Sequence, residues 1–353
     1  MRKLTIFLLF ITLLAMVSAS VAQNAVEIEI FVEPDSLTVY VPGNQPVSLS
    51  LTQTPTTTAT PDHSAESIAR TGVSANAEWE PYLPYIREFK GVEMVLVPAG
   101  EFTMGSIETE VDDALAMCNA ADSESNCVRE WFEDETPAHS QHMAEPYWID
   151  RTEVTRAQYQ QCVDTGICEE TPASEYSTEP NQPINNVTWI QAKDYCEWRE
   201  ARLPTEREWE YAARGPDNLI FPWGNTMQGN EANHCDTNCA IDSNWRFVNE
   251  EHDDGFAATA PVDSYETDLS WVGASDMAGN FREWVSTIYD QDTFTYPYRV
   301  DGREDSTAET WRVLRGGSWF MPEDVVRSNN RNRGYSVDFG PDLGFRCARS
   351  IDP

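Results

Sequence analysis

Apolar positions follow helical spacing at two places in the middle of the chain, and three helix starts there are each announced by a threonine. Thr155-Arg156-Ala157-Gln158, Thr188-Trp189-Ile190-Gln191 and Thr205-Glu206-Arg207-Glu208 all fit a capping box. In that motif the threonine hydroxyl and the Gln or Glu side chain each accept the other residue's backbone N–H. Trp189, Ala192, Cys196 and, less regularly, Tyr195 share one face of the second predicted helix. Trp209, Ala212 and Ala213 share one face of the third, which follows Pro204 and is placed to end at Gly215. Elsewhere the pattern is short alternation and loop. "VEIEIFVEPDSLTVYVPG", within residues 24–50, alternates apolar and polar residues and breaks at Pro34-Asp35, which predicts a short hairpin. "TQTPTTTATPDHSAES" lacks apolar periodicity and predicts an extended linker.

These patterns divide the chain. Arg2 and Lys3 precede an apolar run from Leu4 to Val17, and Ser20-Val21-Ala22 offers a small-x-small cleavage site. Residues 1–22 therefore read as a secretory signal cleaved near Ala22. The run is short for a membrane span, and no cysteine follows it as a lipid anchor would need. Residues 23–51 are a short β-like segment, 52–87 a Thr/Pro/Ser-rich linker, and 88–353 the globular domain. No internal repeat is present. Helices amid short strands and loops rich in Gly, Asn, Asp and Trp predict an α+β fold.

Charge narrows the partners. The 353 residues carry a formal charge of −35, which excludes nucleic acid and anionic membranes as main partners. It favours a soluble surface and bound cations, solubility alone being the simpler account. Lys3, Lys90 and Lys193 are the only lysines, and nine arginines fall between Arg299 and Arg349. Four of these lie in "LRGGSWFMPEDVVRSNNRNRG", residues 314–334. Arginine suits forked recognition of carboxylates, so the segment either braces the fold or presents a ligand surface.

An exported protein with eight cysteines reads as a disulfide protein. Local pairs Cys118 with Cys127, Cys162 with Cys168 and Cys235 with Cys239 are candidates. Cys196 and Cys347 would then remain, far apart in sequence. "ASDMAGNFREW" places Asp276, Gly279, Asn280 and Glu283 within eight residues, and "HDDGFAATAPVDSY" adds further acids. Calcium takes six to eight oxygens from such loops, although the spacing is not that of an EF-hand. The alternative is a tight turn whose carboxylates bond backbone amides. His139 and His142 are the closest histidine pair and lack zincin spacing; no G-x-S-x-G, P-loop or dinucleotide fingerprint occurs.

Seven segments in order carry a resemblance: "MVLVPAGEFTMGS", "IDRTEVTRAQYQQCV", "PINNVTWIQAKDYCEWREARLPTEREWEYAARG", "FPWGN", "MAGNFREWV", "RVLRGGSW" and "LGFRCAR". Together, over about residues 90–350, they resemble the formylglycine-generating enzyme, or sulfatase-modifying factor, family. The resemblance implies a C-type-lectin-like α+β fold with little regular secondary structure, stabilised by disulfides and calcium. It implies a Cys196–Cys347 disulfide. It implies a first calcium site from the side chains of Asn233 and Asp254 with backbone oxygens of His234 and Phe256. A second would use Asp276 and Glu283 with backbone oxygens of Gly279 and Phe281. Where most relatives have Val-Trp or Ala-Trp before the Glu-Trp pair, this chain has Phe281-Arg282.

The resembling oxidases bind copper through two cysteines five residues apart, after the RGGS-aromatic motif. Those positions here are Met321 and Val326. A thioether and an aliphatic side chain do not replace thiolates at Cu(I), so no catalytic residue is assigned and copper is not expected. The expectation is a secreted, periplasmic or extracellular calcium-stabilised binding module, neither membrane-anchored nor an oxidase. Its ligand, a peptide, carbohydrate or small molecule, would meet Ser318, Trp319, Arg327, Asn330, Arg331 and Arg333. The alternative is an enzyme of the same family, oxidising a sulfatase cysteine to formylglycine or running another oxidation on the same fold.

Overall fold

The three capping boxes form as the sequence predicts. In this computed structural model Thr155, Thr188 and Thr205 cap helices over Arg156–Asp164, Trp189–Trp198 and Glu206–Arg214, with both hydrogen bonds of each box in place. The structure describes residues 83–121, 127–239, 252–289, 296–307 and 309–351, together with three short strands nearer the N-terminus. The proposed signal and most of the linker lie outside the described residues.

The N-terminal strands, β1 (Glu29–Glu33), β2 (Ser36–Tyr40) and β3 (Val47–Ser50), form an antiparallel sheet in the order β1-β2-β3. They belong to a unit separate from the rest of the chain. The second unit carries β4 (Ile86–Phe89), β5 (Val92–Val97), β6 (Gly100–Met104), β7 (His139–Met143) and β8 (Tyr147–Asp150). Beyond these come β9 (Arg282–Ile288), β10 (Trp311–Arg315), β11 (Asn332–Tyr335), β12 (Leu343–Gly344) and β13 (Ala348–Ser350). They make sheets of order β13-β8-β5-β4 and β11-β10-β9-β12, and a β6-β7 ribbon. The described residues of this unit begin at Leu83, within the segment 52–87 whose composition reads as linker. Tyr85 packs its ring 5.7 Å from that of Trp148, and β4 pairs antiparallel with β5.

Among the described residues of this unit the α-helices are α1 (Glu108–Ala121), α2 (Arg156–Asp164), α3 (Trp189–Trp198) and α4 (Glu206–Arg214). The capping-box pattern passes over α1. Ser106 donates its hydroxyl to Glu135, 2.6 Å away, and Glu110 instead accepts the N–H of Ile107 near the helix start. Gly215 ends α4 in the left-handed region, where a Cβ would lie 2.8 Å from the Trp271 ring.

One core packs Trp209, Tyr211 and Ala212 of α4 against Val95, Val97, Ile149 and Val285. A second packs Trp189, Tyr195 and Tyr159 around Trp284 and Phe345. The Cys196–Cys347 disulfide lies in this second core and ties α3 to the segment before β13. Cys118–Cys127, Cys162–Cys168 and Cys235–Cys239 are also bonded. Among the described residues no helix is long and apolar enough to cross a membrane.

Candidate functional site

The glycine pair of residues 314–334 lets that segment approach two others closely. Gly316 accepts the N–H of Gly279 at 2.7 Å, and a Cβ on Gly317 would lie 2.6 Å from the Val326 side chain. Past this turn Arg327 and Arg331 point inward. Arg327 is buried and forks onto Glu135, with Nη2 2.7 Å from Oε1 and Nη1 3.0 Å from Oε2. Its Nε donates to the Asp324 carbonyl, and Asn330 donates to the same Glu135 carboxylate. Arg331 forks onto Glu206 through Nε at 2.5 Å and Nη2 at 3.0 Å, and donates from Nη1 to the Asp134 carbonyl. Burial alone would raise the Glu206 carboxyl, but Arg331 and Arg315 hold it below the ordinary range.

Arg327, Asn330 and Arg331 therefore brace loops through long-range contacts, and their donors are committed inside the fold. Ser318 is buried and donates to Asp342, which Arg282 also grips. Trp319 is buried with its ring 4.9 Å from that of Tyr176. Of the six ligand candidates, Arg333 alone is exposed. It lies beside Tyr289 and over the ring of Trp311, which is 45% exposed and packs edge-on against Tyr335.

The acidic loops come together below the glycine turn. Asn280 donates its N–H to the Asn233 carbonyl, and Gly279 at φ +77° has no room for a Cβ against that same oxygen. Asp254 accepts the N–H groups of His234 and Phe256, each at 2.8 Å. Among the described residues its only basic partner within 4 Å is His234, 3.7 Å away. Burial pushes the Asp254 carboxyl up to about 7. The Asn233 side-chain oxygen is buried without a hydrogen-bond partner. An orphaned amide oxygen and a poorly compensated carboxylate are oxygen donors of the kind a hard cation takes, so Asn233 and Asp254 could serve one.

The second group is arranged differently from its sequence reading. Glu283 is taken up by Arg346, whose Nη2 lies 2.7 Å from Oε1, and by Trp209 Nε1 at 2.8 Å from Oε2. Its charge is already neutralised by a guanidinium, so it is not a free ligand here. Asp276 accepts the Asp263 N–H, and burial raises its carboxyl to about 6. Asp268 and Glu153, which the sequence reading missed, complete the cluster. Asp268 accepts the Asp276 N–H on one oxygen and has no partner on the other. Glu153 accepts from Asn280 Nδ2 and Phe281 N. Burial, then the nearby Asp276 and Glu283 charges, push its carboxyl well up. Nothing in "IDRTEVT" marks Glu153 for burial, since Asp150, Arg151, Thr152 and Thr155 around it are polar.

The thiolate question is answered by the cysteines. All eight are bonded in four disulfides, and Val326 is buried with Phe221, Ala232 and Ala278. The carbonyl of Met321 accepts the N–H of Cys235 at 2.8 Å.

The model of the sulfatase-modifying factor enzyme 1-like domain matches residues 84–351. The chain belongs to this formylglycine-generating enzyme family. It is 33% identical over 189 residues to the Inactive C-alpha-formylglycine-generating enzyme 2 of Mus musculus, covering 51% of this chain and 53% of that one. It is 34% identical over 189 residues to the Formylglycine-generating enzyme of Thermomonospora curvata, covering 51% of this chain and 59% of that one. The match thus spans little more than half the length of these relatives. Among solved structures, PvdO from Pseudomonas aeruginosa aligns with a TM-score of 0.57 and 25% identity, over 76% of this chain and 99% of that one. Treponema denticola variable protein 1 aligns at 0.52 with 19% identity, over the same shares, a likeness of fold alone. The family fold here has mixed helix and strand content and several disulfides.

Proposed function

We propose that this chain is an exported, calcium-stabilised member of the family that binds a ligand and does not run thiolate–copper oxidation. The observation that carries the reading is the absence of any free thiol: every cysteine is in a disulfide, and Met321 and Val326 stand at the expected thiolate positions. Copper(I) oxidation needs soft thiolate ligands, and nothing in this segment replaces them. Similarity to a relative named as inactive supports the same direction. Calcium is supported by the unpartnered Asn233 oxygen and by the buried Asp254 carboxylate. Export rests on the apolar run after Arg2 and Lys3.

The ligand face is the exposed Arg333 with Trp311 and Tyr335. A guanidinium beside two aromatic rings can fork onto a carboxylate while a ring stacks on a sugar or peptide side chain. The other five candidates position loops behind it. The test is incubation of the mature protein with copper, oxygen and a cysteine-containing sulfatase-type peptide, with a hydrazide probe trapping any aldehyde. The expected result is no aldehyde above a copper-only control. Stoichiometric conversion would sink the proposal and restore the oxidase alternative.

A further inference from the structure

A second polar cluster lies outside the calcium loops and uses nitrogen donors. His234, His252 and Glu323 each offer a ligand atom, and these atoms all lie within 4.8 Å of one another. We propose that they form a transition-metal centre for a divalent first-row ion of the zinc or iron(II) class. His252 Nδ1 and Glu323 Oε2 are 3.1 Å apart. Two ligands about 2.0–2.2 Å from a tetrahedral metal stand at roughly that separation.

His234 is the independent sign that something belongs between them. It is buried, and its Nε2 has no hydrogen-bond partner. Its Nδ1 is 3.1 Å from the Ala232 carbonyl. Donation there places the proton on Nδ1 and leaves the Nε2 lone pair as the free acceptor. Metal-bound histidines are commonly oriented by such a bond from the other ring nitrogen to a carbonyl.

Three segments are fastened to bring the donors together. Cys235 N–H donates to the Met321 carbonyl at 2.8 Å, just before the 3-10 turn Glu323–Val325 that carries Glu323. Thr237 N–H approaches the His252 carbonyl at 3.4 Å, and Asp254 N–H donates to Asp236 at 2.5 Å. The Cys235–Cys239 disulfide closes the loop between His234 and these contacts. The His252 ring rests where a side chain on Gly229 would otherwise be, since a Cβ at that position would stand only 2.0 Å from the ring. Gly229 itself is held by its N–H to Glu231.

Two imidazoles and one carboxylate suit zinc or iron(II) and are a poor set for calcium, which prefers oxygen throughout. Three protein ligands leave coordination positions open. The His252 and Glu323 side chains are 17% and 12% exposed, so the open side is reached from solvent by water or an anionic oxygen ligand. The donor side chains differ from those of the calcium proposal, but His234 also bonds its N–H to Asp254, so calcium is kept saturating while the second metal is titrated.

The test uses the full mature chain, stripped with chelator and reloaded with calcium, then titrated with Co²⁺. One equivalent should give a visible absorption band of a four- or five-coordinate nitrogen–oxygen site, displaced by Zn²⁺ or by Fe²⁺ without oxygen. Because Zn²⁺ displaces Co²⁺ at most nitrogen–oxygen sites whatever the native ion, elemental analysis of the chain as purified identifies the resident metal. His252→Ala and Glu323→Gln should each weaken Co²⁺ binding by at least about 100-fold, the upper end of losses seen when a metal's supporting groups are removed. Calorimetric calcium binding and near-UV circular dichroism should stay as in the parent. These two positions are chosen because they are partly exposed, whereas His234 is part of the packed interior. The proposal is overturned if the parent binds Co²⁺ no tighter than the His252→Ala/Glu323→Gln double variant. It is equally overturned if the Co²⁺ spectrum is the weak one of an all-oxygen octahedral ion, or if neither Zn²⁺ nor Fe²⁺ displaces it.

Discussion

Replacing Arg331 with methionine isolates what the arginine-rich segment does. The side chain forks onto Glu206 and stacks over Tyr296, its guanidinium carbon 4.5 Å from that ring's centre. Methionine keeps the apolar stem and removes the charge. Stranding one partner of a buried ion pair costs about 3–5 kcal/mol. Arg315 Nη1 remains 3.9 Å from Glu206 Oε1 and compensates part of the stranded charge. The expected loss is therefore at the low end, about 3 kcal/mol, or about 6–12 °C in the unfolding midpoint for a domain of this size.

The pH dependence gives the reasoning its sharper test. In the parent the Glu206 carboxyl is held below the ordinary range despite burial, so its contribution is present at neutral pH and lost on acidification through that lowered value. In Arg331→Met the same burial acts with its leading compensator gone, and the carboxyl rises. The variant then recovers part of its stability as pH falls and Glu206 takes up a proton. The gap between parent and variant should narrow between pH 7.5 and pH 5. Urea denaturation followed by tryptophan fluorescence at both pH values measures it, with equal slopes confirming the same transition. A loss under about 1 kcal/mol, or a gap unchanged by pH, would refute the account, because surface substitutions already fall in that range. Arg331→Met combined with Glu206→Leu should recover most of the loss, since removing both charges leaves none stranded.

Arg333→Ala with Trp311→Ala should leave the midpoint within a few degrees of the parent yet remove binding on glycan and carboxylate-peptide arrays; equal loss of stability and binding would make this face structural. Chelating calcium should lower the unfolding free energy by about 2.7 kcal/mol relative to calcium at 100 times its dissociation constant. Asp254→Asn should blunt that difference, and an identical chelator response in the variant would remove Asp254 from the site. Cys196→Ser with Cys347→Ser should cost about 5 kcal/mol in the chain-entropy model, because the bond spans 151 residues. Cys162→Ser with Cys168→Ser, spanning 6, should cost about 2 kcal/mol, and equal costs measured by denaturation would refute the loop-length argument.

What could be read from the sequence was local or carried by ordered motifs. The three capping boxes are decided within four residues, and Gly215 marks its helix end by itself. The arginine partners were not readable. Arg327 finds Glu135 at 192 residues' separation and Arg331 finds Glu206 at 125. No spacing rule connects such positions, so bracing and ligand binding stayed equal until the side chains were placed. Glu283 shows the same limit. Its loop looks like a cation site, but Arg346, 63 residues later, occupies the carboxylate. Helix α1 was missed although Val111, Ala114, Leu115 and Cys118 keep helical spacing, because the serine before it bonds Glu135 instead of advertising a cap. His252 drew no attention because its partner Glu323 lies far along the chain, in a different loop.

The charge of −35 separates into two populations with different needs. Exposed acids are solvated and require no partner. Buried acids must be neutralised, and the fold uses two means. Around residues 314–346, Glu135, Glu206, Glu210 and Glu283 each meet a buried arginine. Around residues 233–276, Asp254, Asp268 and Asp276 lack an arginine within salt-bridge distance among the described residues. Their carboxyls are pushed upward, chiefly by burial, Asp254 to about 7 and Asp276 to about 6. A protein that neutralises some buried carboxylates with arginine and leaves others without one has, at neutral pH, either retained protons there or a cation supplied from solution. On the calcium reading proposed above, an ion would take the place of arginine in the second group, since it accepts carboxylate and carbonyl oxygens from several directions while a guanidinium offers its donors in a plane. The buried carboxylates that lack an arginine therefore lie in the loops around Asn233 and Asp276, while the arginine segment holds its own charges in balance.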